Sequence, residues 1–106
     1  MNFFFMNFQN DRPIINLLGE ICWGFEVDGF ERKIGVKKKV VEALLERLLK
    51  EEKAGAIEIY LSDSEVSIVK RALNEVEKEI EEWEFQMRIG ISRKEVIKIL
   101  ERINRK

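Results

Sequence analysis

Two stretches of the chain are alike: LGEICWGFEVDGFERKIGVKKKVVEALLERL at residues 18–48 and LNEVEKEIEEWEFQMRIGISRKEVIKILERI at residues 73–103. Offset by 55 residues, they align without a gap, and eleven of the 31 positions are identical. A chance match of two charged amphipathic segments would not also preserve the apolar register and the aligned glycines Gly35 and Gly90. The pattern predicts one domain, residues 1–106, built of two copies at residues 2–52 and 57–106.

Each copy is predicted to begin with a short strand, at Asn2–Phe8 and at Ala56–Leu61. Both runs are rich in aromatic or β-branched residues and are bounded by turn-forming residues. A helix, a link and a second helix follow in each copy. The sequence therefore predicts an α+β fold: a tandem βαα repeat with internal pseudo-two-fold symmetry, four helices and a small two-stranded sheet. The alternative is an all-helical bundle over which residues 2–8 lie.

The predicted helices carry capping signals at their starts. Residues 62–65 (SDSE) and 92–95 (SRKE) have the spacing of a capping box, with Ser followed three residues later by Glu. In the first copy, Asn10 or Asp11 is expected to cap a helix that has Pro13 in its first turn. Apolar residues then recur at helical spacing, which predicts core-facing stripes. In the first helix this stripe is Ile14, Leu17, Leu18, Ile21, Cys22 and Phe25.

The two helices of each copy are joined by links at residues 26–35 and 81–90, which end in a shared Ile-Gly. A hairpin-turn sequence at residues 27–30 has no counterpart in the second copy, so we predict irregular or extended links. Gly35 and Gly90 are expected to adopt positive φ, which glycine tolerates without steric cost.

A charged pair is retained beside each link. Glu20 and Lys33 of the first copy correspond to Glu75 and Arg88 of the second. We predict that the two members of each pair bond across the link, and so tie the first helix to the segment before the second. We predict that these four residues and the two link glycines stabilise the fold rather than bind a partner.

The composition excludes several classes of chemistry. The chain has no histidine, one cysteine, and a net charge of −1 from 19 basic and 20 acidic residues. Catalysis or metal binding by histidine, an internal disulfide and a bulk electrostatic attraction to nucleic acid are therefore excluded. Cys22 lies on an apolar stripe, which indicates a core thiol rather than a nucleophile. We expect no cofactor, no metal site and no enzymatic activity.

No targeting or membrane segment is expected. The first residues, MNFFFMNF, are apolar but lack a basic region and a cleavage site of small residues. One unpaired cysteine suits a reducing compartment, so a cytoplasmic location is predicted.

A run of acidic residues near the second link offers a candidate contact surface. The candidates for partner binding are Glu77, Glu81, Glu82, Trp83 and Glu84. Such carboxylates can also bind a hard cation or transfer protons, but no histidine and no glycine-bearing metal loop accompanies them. A solvated helix face is the simpler alternative. Trp23 and Trp83 are expected either at the edge of the core or as exposed contact residues, and the core-edge position is preferred because large aromatic residues usually contribute to the core.

A basic tail favours a second kind of partner. Residues 85–106 carry seven basic and two acidic residues, whereas residues 75–84 carry a net charge of −5. Two helices around a glycine-bearing link are superficially similar to a helix-turn-helix, which would bind nucleic acid. We expect the tail instead to pair with its acidic neighbour. The basic residues are Arg88, Arg93, Lys94, Lys98, Arg102, Arg105 and Lys106.

The second copy contains the motif L-N-E-V, at residues 73–76, followed by F-x-x-R-I-G-x-S-x-x-E-V, at residues 85–96. This motif resembles a group of small bacterial proteins, mostly uncharacterised, some of which are immunity proteins of contact-dependent inhibition and other polymorphic toxin systems. The resemblance covers about a quarter of the chain and implies a toxin-neutralising role without catalytic residues.

These observations favour a non-enzymatic protein-binding module, and we expect an immunity or antitoxin-like protein that neutralises a partner toxin. A small DNA- or RNA-binding regulator is the alternative. We also expect a homodimer, because the first strand carries apolar side chains on both faces, with Phe4 and Phe5 pointing in opposite directions.

Overall fold

The computed structural model describes residues 4–24 and 26–103 of the chain. Five residues that carried predictions lie outside this part: Asn2 and Phe3 of the first strand, Phe25 of the first stripe, and Arg105 and Lys106 of the basic tail.

Two strands and six α-helices form the described part of the chain. In chain order they are β1 (Phe4–Asn7), α1 (Pro13–Gly19), a π-helical segment (Glu20–Gly24), α2 (Phe30–Ile34), α3 (Lys38–Lys53), β2 (Glu58–Leu61), α4 (Asp63–Glu79), α5 (Glu82–Ile89) and α6 (Arg93–Ile103).

The two strands pair antiparallel, with Phe5 opposite Tyr60 and Met6 opposite Ile59. Side chains alternate between the faces of a strand, so Met6 lies in the core while Phe5 and Tyr60 are exposed on the outer face. The small two-stranded sheet of an α+β fold is therefore confirmed, and the all-helical alternative is wrong. Next to this pairing, the Phe8 N–H donates to the Ile57 carbonyl at 3.0 Å.

The expected number of helices, four, is wrong because both links are helical. Phe30 and Ile34 are spaced four apart in α2, and Phe85 and Ile89 have the same spacing in α5. In α5 both side chains are fully buried. Four-residue spacing places side chains on one face of a helix, so a single apolar turn is enough to hold each link helical against the core.

The link glycines end these two helices. Gly35, with φ of 94°, caps α2, and Gly90, with φ of 103°, caps α5. The predicted positive φ is confirmed at both positions. In this left-handed conformation the N–H of Gly90 donates to the Gln86 carbonyl at 2.9 Å, which satisfies a carbonyl at the helix end.

Both predicted capping boxes are present. Ser62 Oγ accepts from the Glu65 N–H at 3.2 Å, and Glu65 Oε1 accepts from the Ser62 N–H at 2.8 Å. Ser92 and Glu95 make the same reciprocal pair at the start of α6, with both distances 3.2 Å. Pro13 opens α1, as expected.

The predicted cap of α1 is wrong. Arg12 occupies the N-cap position and makes no capping bond through its side chain. Asp11 is instead fully buried, where its carboxylate accepts from the Asn7 N–H at 2.7 Å and from the guanidinium of Arg102. This carboxylate therefore joins the end of β1 to α6 rather than starting a helix.

The core lies around α4, which packs against α1, α2, α5, α6 and β2. Burying a large apolar side chain contributes about 1.5–3 kcal/mol to folding, so these residues dominate the stability of the domain. The largest fully buried side chains are Phe85, Met6, Ile14, Leu17, Leu18, Ile21, Ile34, Leu45, Leu48, Leu61, Ile89 and Val41.

The order of a strand followed by three helices occurs in both halves of the chain. The halves differ in their first helix, since α4 runs for 17 residues whereas α1 has seven and continues as the π-helical segment. The pseudo-two-fold symmetry stays a prediction.

Candidate functional site

The acidic residues predicted to bind a partner lie where α4 passes into α5. Glu77 is half-buried near the end of α4, Glu81 is the N-cap residue of α5, and Glu82, Trp83 and Glu84 form the first turn of α5. The chain therefore keeps these five residues on one short junction, which the fold holds against α1, α4 and α6.

Two of these acids are bonded to arginines of the same region. Glu82 Oε2 lies 3.2 Å from Arg93 Nε, and Glu84 Oε2 lies 2.9 Å from Arg88 Nη2. Arg93 also donates to the Ile80 carbonyl at 2.9 Å, so its guanidinium links α6 to the end of α4. These bonds fix the start of α5 relative to α4 and α6.

Trp83 is exposed, so its predicted core-edge position is wrong. Its side chain is 63% exposed, and that of Met87, one turn further along α5, is 76% exposed. At 100° per residue, both point directly away from the face that carries the buried Phe85 and Ile89. We call Trp83, Met87 and the flanking Glu84 and Arg88 the α5 ridge.

Sequence reasoning missed Met87 because the second link was not recognised as a helix. Once Phe85 and Ile89 are placed on the inner face, the four-residue spacing of Trp83 and Met87 puts both on the outer face. The signal was therefore present in the sequence.

Arg88 joins α5 to the first half of the chain. Its Nη1 donates to Glu20 Oε1 at 2.9 Å, and its Nη2 contacts Glu84 at the same distance. The hydrogen bond with Glu20 is the main reason that the pKa of Arg88 lies above its usual value. Because Glu20 begins the π-helical segment, the ridge is tied to that segment.

The predicted pairing of Glu75 with Arg88 is wrong. Glu75 is only 6% exposed and bonds Lys78 Nζ at 3.3 Å. It lies on the inner side of α4, beside the buried Val76, whereas Arg88 lies on the flank of α5 that faces Glu20. The predicted partner of Lys33 is also wrong, since Glu20 bonds Arg88 instead.

A groove of about 380 Å³ runs beside the ridge, between α1, the π-helical segment, α3 and α5. Trp23, predicted in the core, stands in it with its side chain 60% exposed. We call it the Trp23 groove. Its lining includes Arg12, Glu20, Trp23, Leu45, Leu49 and Arg88.

The wall of the Trp23 groove is held by a chain of polar contacts. Arg12 Nε lies 3.2 Å from Glu52 Oε2, and Arg12 Nη1 donates to Asn16 Oδ1 at 2.8 Å. Asn16 Nδ2 in turn donates to the carbonyl of Ile89 at 2.8 Å. This last bond connects α1 to the end of α5, so groove and ridge share a rigid frame.

The two tryptophans share one local arrangement. Trp23 Nε1 donates to Glu42 Oε2 at 3.2 Å, and Trp83 Nε1 donates to Glu81 Oε2 at 3.1 Å. In each case a carboxylate at the ring edge satisfies the indole N–H and leaves the ring exposed to solvent.

Cys22 lies in the core, as predicted, and is fully buried. Burial raises the pKa of its thiol to about 11, and the charge of Glu42 adds to the effect. The thiolate is the nucleophilic form, so Cys22 is unreactive near neutral pH.

Much of the basic tail is bonded within the fold. Arg88, Arg93 and Arg102 each bond a carboxylate, whereas Lys94 and Lys98 are exposed on α6. The first two arginines bond acids of the α4–α5 junction, which agrees with the expected pairing of the tail with its acidic neighbour.

Within residues 4–24 and 26–103, no group of three or more acidic, cysteine or histidine side chains is placed to hold a metal ion. Nor does any helix of that part have the length and apolar character needed to cross a bilayer.

Comparison with known proteins gave no match: no protein-family model, no curated protein and no solved structure is significantly similar to this chain.

Proposed function

We propose that this chain is a non-enzymatic protein-binding module, and that its partner docks on the α5 ridge and the neighbouring Trp23 groove. One observation carries the proposal: Trp83 and Met87 stand directly opposite the buried face of α5. Two large apolar side chains, one turn apart and both facing water, are characteristic of a contact surface.

The ridge has the rigidity that a contact surface needs. Phe85 and Ile89 anchor α5 in the core, Gly90 ends it, and Arg88 ties it to Glu20. A tryptophan held on such a frame loses little side-chain entropy when it binds, and tryptophan is enriched among the residues that dominate interface energies.

We propose binding rather than catalysis because the candidate nucleophile is inert. Cys22 is buried, its pKa is raised, and the chain has no histidine to act as its base. Of the junction carboxylates, Glu82 and Glu84 bond arginines and Glu81 accepts from an indole N–H, and these bonds serve positioning rather than proton transfer.

We infer the partner class from the motif at residues 73–76 and 85–96, which resembles a group of small, mostly uncharacterised bacterial proteins that includes immunity proteins of polymorphic toxin systems. In this chain the motif residues Phe85, Ile89 and Gly90 build the inner face and end of α5. They therefore support the ridge, which agrees with an immunity or antitoxin-like protein that neutralises a toxin in the cytoplasm.

Co-expression with the product of the adjacent gene tests this function. That product is expressed in a bacterial host, alone and together with this protein, and growth and complex formation are measured. We expect growth arrest that this protein relieves, and loss of relief for Trp83→Ala with Met87→Ala. Ile57→Ala is the matched control, because Ile57 is as exposed as Met87, at 76%, but precedes β2.

The outcomes decide between the functions. The proposal would be contradicted if the product of the adjacent gene does not arrest growth. It would also be contradicted if the variant with both ridge substitutions still relieves the arrest. Retention of the protein on DNA or heparin, falling steeply with salt, would favour the nucleic-acid-binding alternative, since phosphate contacts release counterions. We expect no such retention, because Arg88, Arg93 and Arg102 already bond carboxylates.

A further inference from the structure

We infer that the α5 ridge binds a cationic segment of the partner protein, with a lysine or arginine side chain lying on the indole face of Trp83. This inference rests on the proposed function and specifies the chemistry of the surface that the ridge meets.

Three of the six acidic residues at positions 75–84 have no ion-pair partner within the described residues. Within the described residues, three acids of the region are each bonded to a cation, as given above. Glu77, Glu79 and Glu81 form no ion pair there. Glu79 and Glu81 are exposed, and Glu81 contacts the ridge directly through Trp83. The unbalanced charge of Glu81 therefore lies beside the exposed ring.

The ring of Trp83 is suited to a cation. Its N–H is bonded at the ring edge to Glu81, at 3.1 Å, and its side chain is 63% exposed. The face of an indole attracts ammonium and guanidinium groups more strongly than other aromatic rings do. A carboxylate at the edge adds a second attraction for the same cation, because the charge that it carries is not cancelled nearby.

Met87 provides the apolar part of such a contact. Lysine and arginine bury their methylene stems against apolar surface while their charged heads stay at the polar rim. Met87 lies one turn from Trp83 on the same face of α5, and its flexible thioether adapts to such a stem.

The other exposed tryptophan is a less favourable site for a cation. Trp23 also bonds a carboxylate, that of Glu42, but Arg12 lines its groove, whereas the ridge arginine, Arg88, contacts both Glu20 and Glu84. The Arg12 guanidinium pairs with one carboxylate, that of Glu52, and therefore opposes another cation more than Arg88 does. The inference therefore applies to Trp83 rather than to both tryptophans.

An oligoarginine peptide is the probe, and an oligoglutamate peptide of the same length is its control. In the Trp23→Phe variant, Trp83 is the remaining tryptophan of the chain, so indole fluorescence reports on the ridge. We expect oligoarginine to change this fluorescence with a Kd that rises with salt, and oligoglutamate to leave it unchanged. Trp83→Ala is expected to weaken binding by about tenfold, measured with a labelled peptide.

Two charge-reversed variants distinguish binding of oligoarginine at the ridge from its attraction to acidic residues elsewhere on the protein. Glu79→Lys with Glu81→Lys should also weaken binding by roughly tenfold. Glu46→Lys with Glu51→Lys changes the net charge equally but on exposed positions of α3, and should have little effect. Equal weakening by both variants, or no response of Trp83 to oligoarginine, would overturn the inference.

The proposed function and the inference fail in different ways. The product of the adjacent gene could bind through Trp83 with an affinity that is insensitive to salt and to the charge reversals at Glu79 and Glu81. The proposed function would then stand, but the segment that contacts the ridge would not be cationic, and the inference would fail. If the ridge substitutions leave that complex intact, the proposed function itself is contradicted.

Discussion

Arg88 of α5 donates to Glu20 of the π-helical segment at 2.9 Å, although 68 residues separate them in the chain. Glu20 was expected to bond within the first copy and Arg88 within the second. The observed bond instead crosses between the copies and fixes the α5 ridge to one wall of the Trp23 groove. This ion pair and the bond from Asn16 to the Ile89 carbonyl therefore join the two exposed tryptophan surfaces.

A double-mutant cycle tests this pair. Glu20→Ala and Arg88→Ala are expected to be non-additive in the free energy of unfolding, because each removes the partner of the other. Glu75→Ala combined with Arg88→Ala is the control cycle and should be additive, since Glu75 bonds Lys78 instead. Additivity in the first cycle, measured by urea unfolding, would show that the contact contributes nothing to stability.

The glycines that end the link helices should not tolerate a side chain. Gly90→Ala is expected to lower the free energy of unfolding by about 1 kcal/mol or more, because alanine is strained at positive φ. The strain comes from the backbone conformation and not from a steric clash, because a Cβ there would lie 3.7 Å from the nearest atom, Asn16 Nδ2.

Gly19→Ala is the matched control for that measurement. Gly19 lies in α1, and a Cβ there would meet nothing within 4 Å. Alanine should therefore stabilise the domain by roughly 0.5–1 kcal/mol through its helix propensity. If Gly90→Ala behaves like Gly19→Ala in thermal and urea unfolding, φ at Gly90 does not limit stability.

Local signals in the sequence predicted local structure well. The capping boxes at Ser62 and Ser92, the positive φ of Gly90 and the core position of Cys22 were all predicted and are present. Each depends on a few neighbouring residues or on one apolar stripe, so periodicity and spacing are sufficient.

Features that depend on distant residues were not predictable in this way. The bond from Arg88 to Glu20 requires the packing of α5 on α1, which no local pattern specifies. Asp11 was expected as a helix cap, but its carboxylate forms an ion pair with Arg102, 91 residues away in the chain. The exposure of Trp83 differs from these two features, because its signal is the local four-residue spacing of Phe85 and Ile89, which a helix of eight residues shows only once.

The thiol of Cys22 should make the stability of the domain pH-dependent in the alkaline range. Burial raises its pKa from 9.0 to about 11, so between these values the unfolded chain loses the thiol proton while the folded chain keeps it. Ionisation then favours the unfolded state, and the free energy of unfolding falls as the pH rises through this window.

Urea unfolding at several pH values, compared with Cys22→Ala, isolates this contribution from other titrating groups. The variant should lack the part of the alkaline decline that the thiol causes. Identical pH profiles for the two proteins would contradict the prediction. The folded protein should also resist thiol alkylation near neutral pH and react only after unfolding.

Asp11 should contribute strongly to stability. Asp11→Ala leaves the partly buried Asn7 N–H without its acceptor, and an unsatisfied buried group costs about 1–3 kcal/mol, whereas the half-exposed Arg102 guanidinium can bond water instead. Asp28→Ala, at an exposed position before α2, should change the free energy of unfolding little. Equal effects of the two substitutions in urea unfolding would show that Asp11 is not a structural contact.

The sheet is the expected site of self-association. Within the described residues β1 and β2 pair only with each other, so each strand has one edge that no further strand covers. On the outer face, Phe5 is 47% exposed and packs edge-to-face on Tyr60, with ring centroids 5.9 Å apart. A second copy placed on this sheet would cover both the edge and the aromatic pair. In a symmetric dimer, each copy covers these surfaces of the other.

We therefore expect a homodimer in sedimentation equilibrium at micromolar concentration, and a single species of 12.6 kDa would contradict it. Phe5→Glu should dissociate the dimer and leave the far-UV circular dichroism unchanged, because the side chain lies on the outer face. Met6→Glu should unfold the chain, since Met6 is fully buried and a carboxylate there would have no water and no partner. Ile97→Glu introduces the same charge at an exposed apolar position of α6 and should leave the dimer intact. If Phe5→Glu and Ile97→Glu affect the association equally, added charge rather than the sheet surface is responsible.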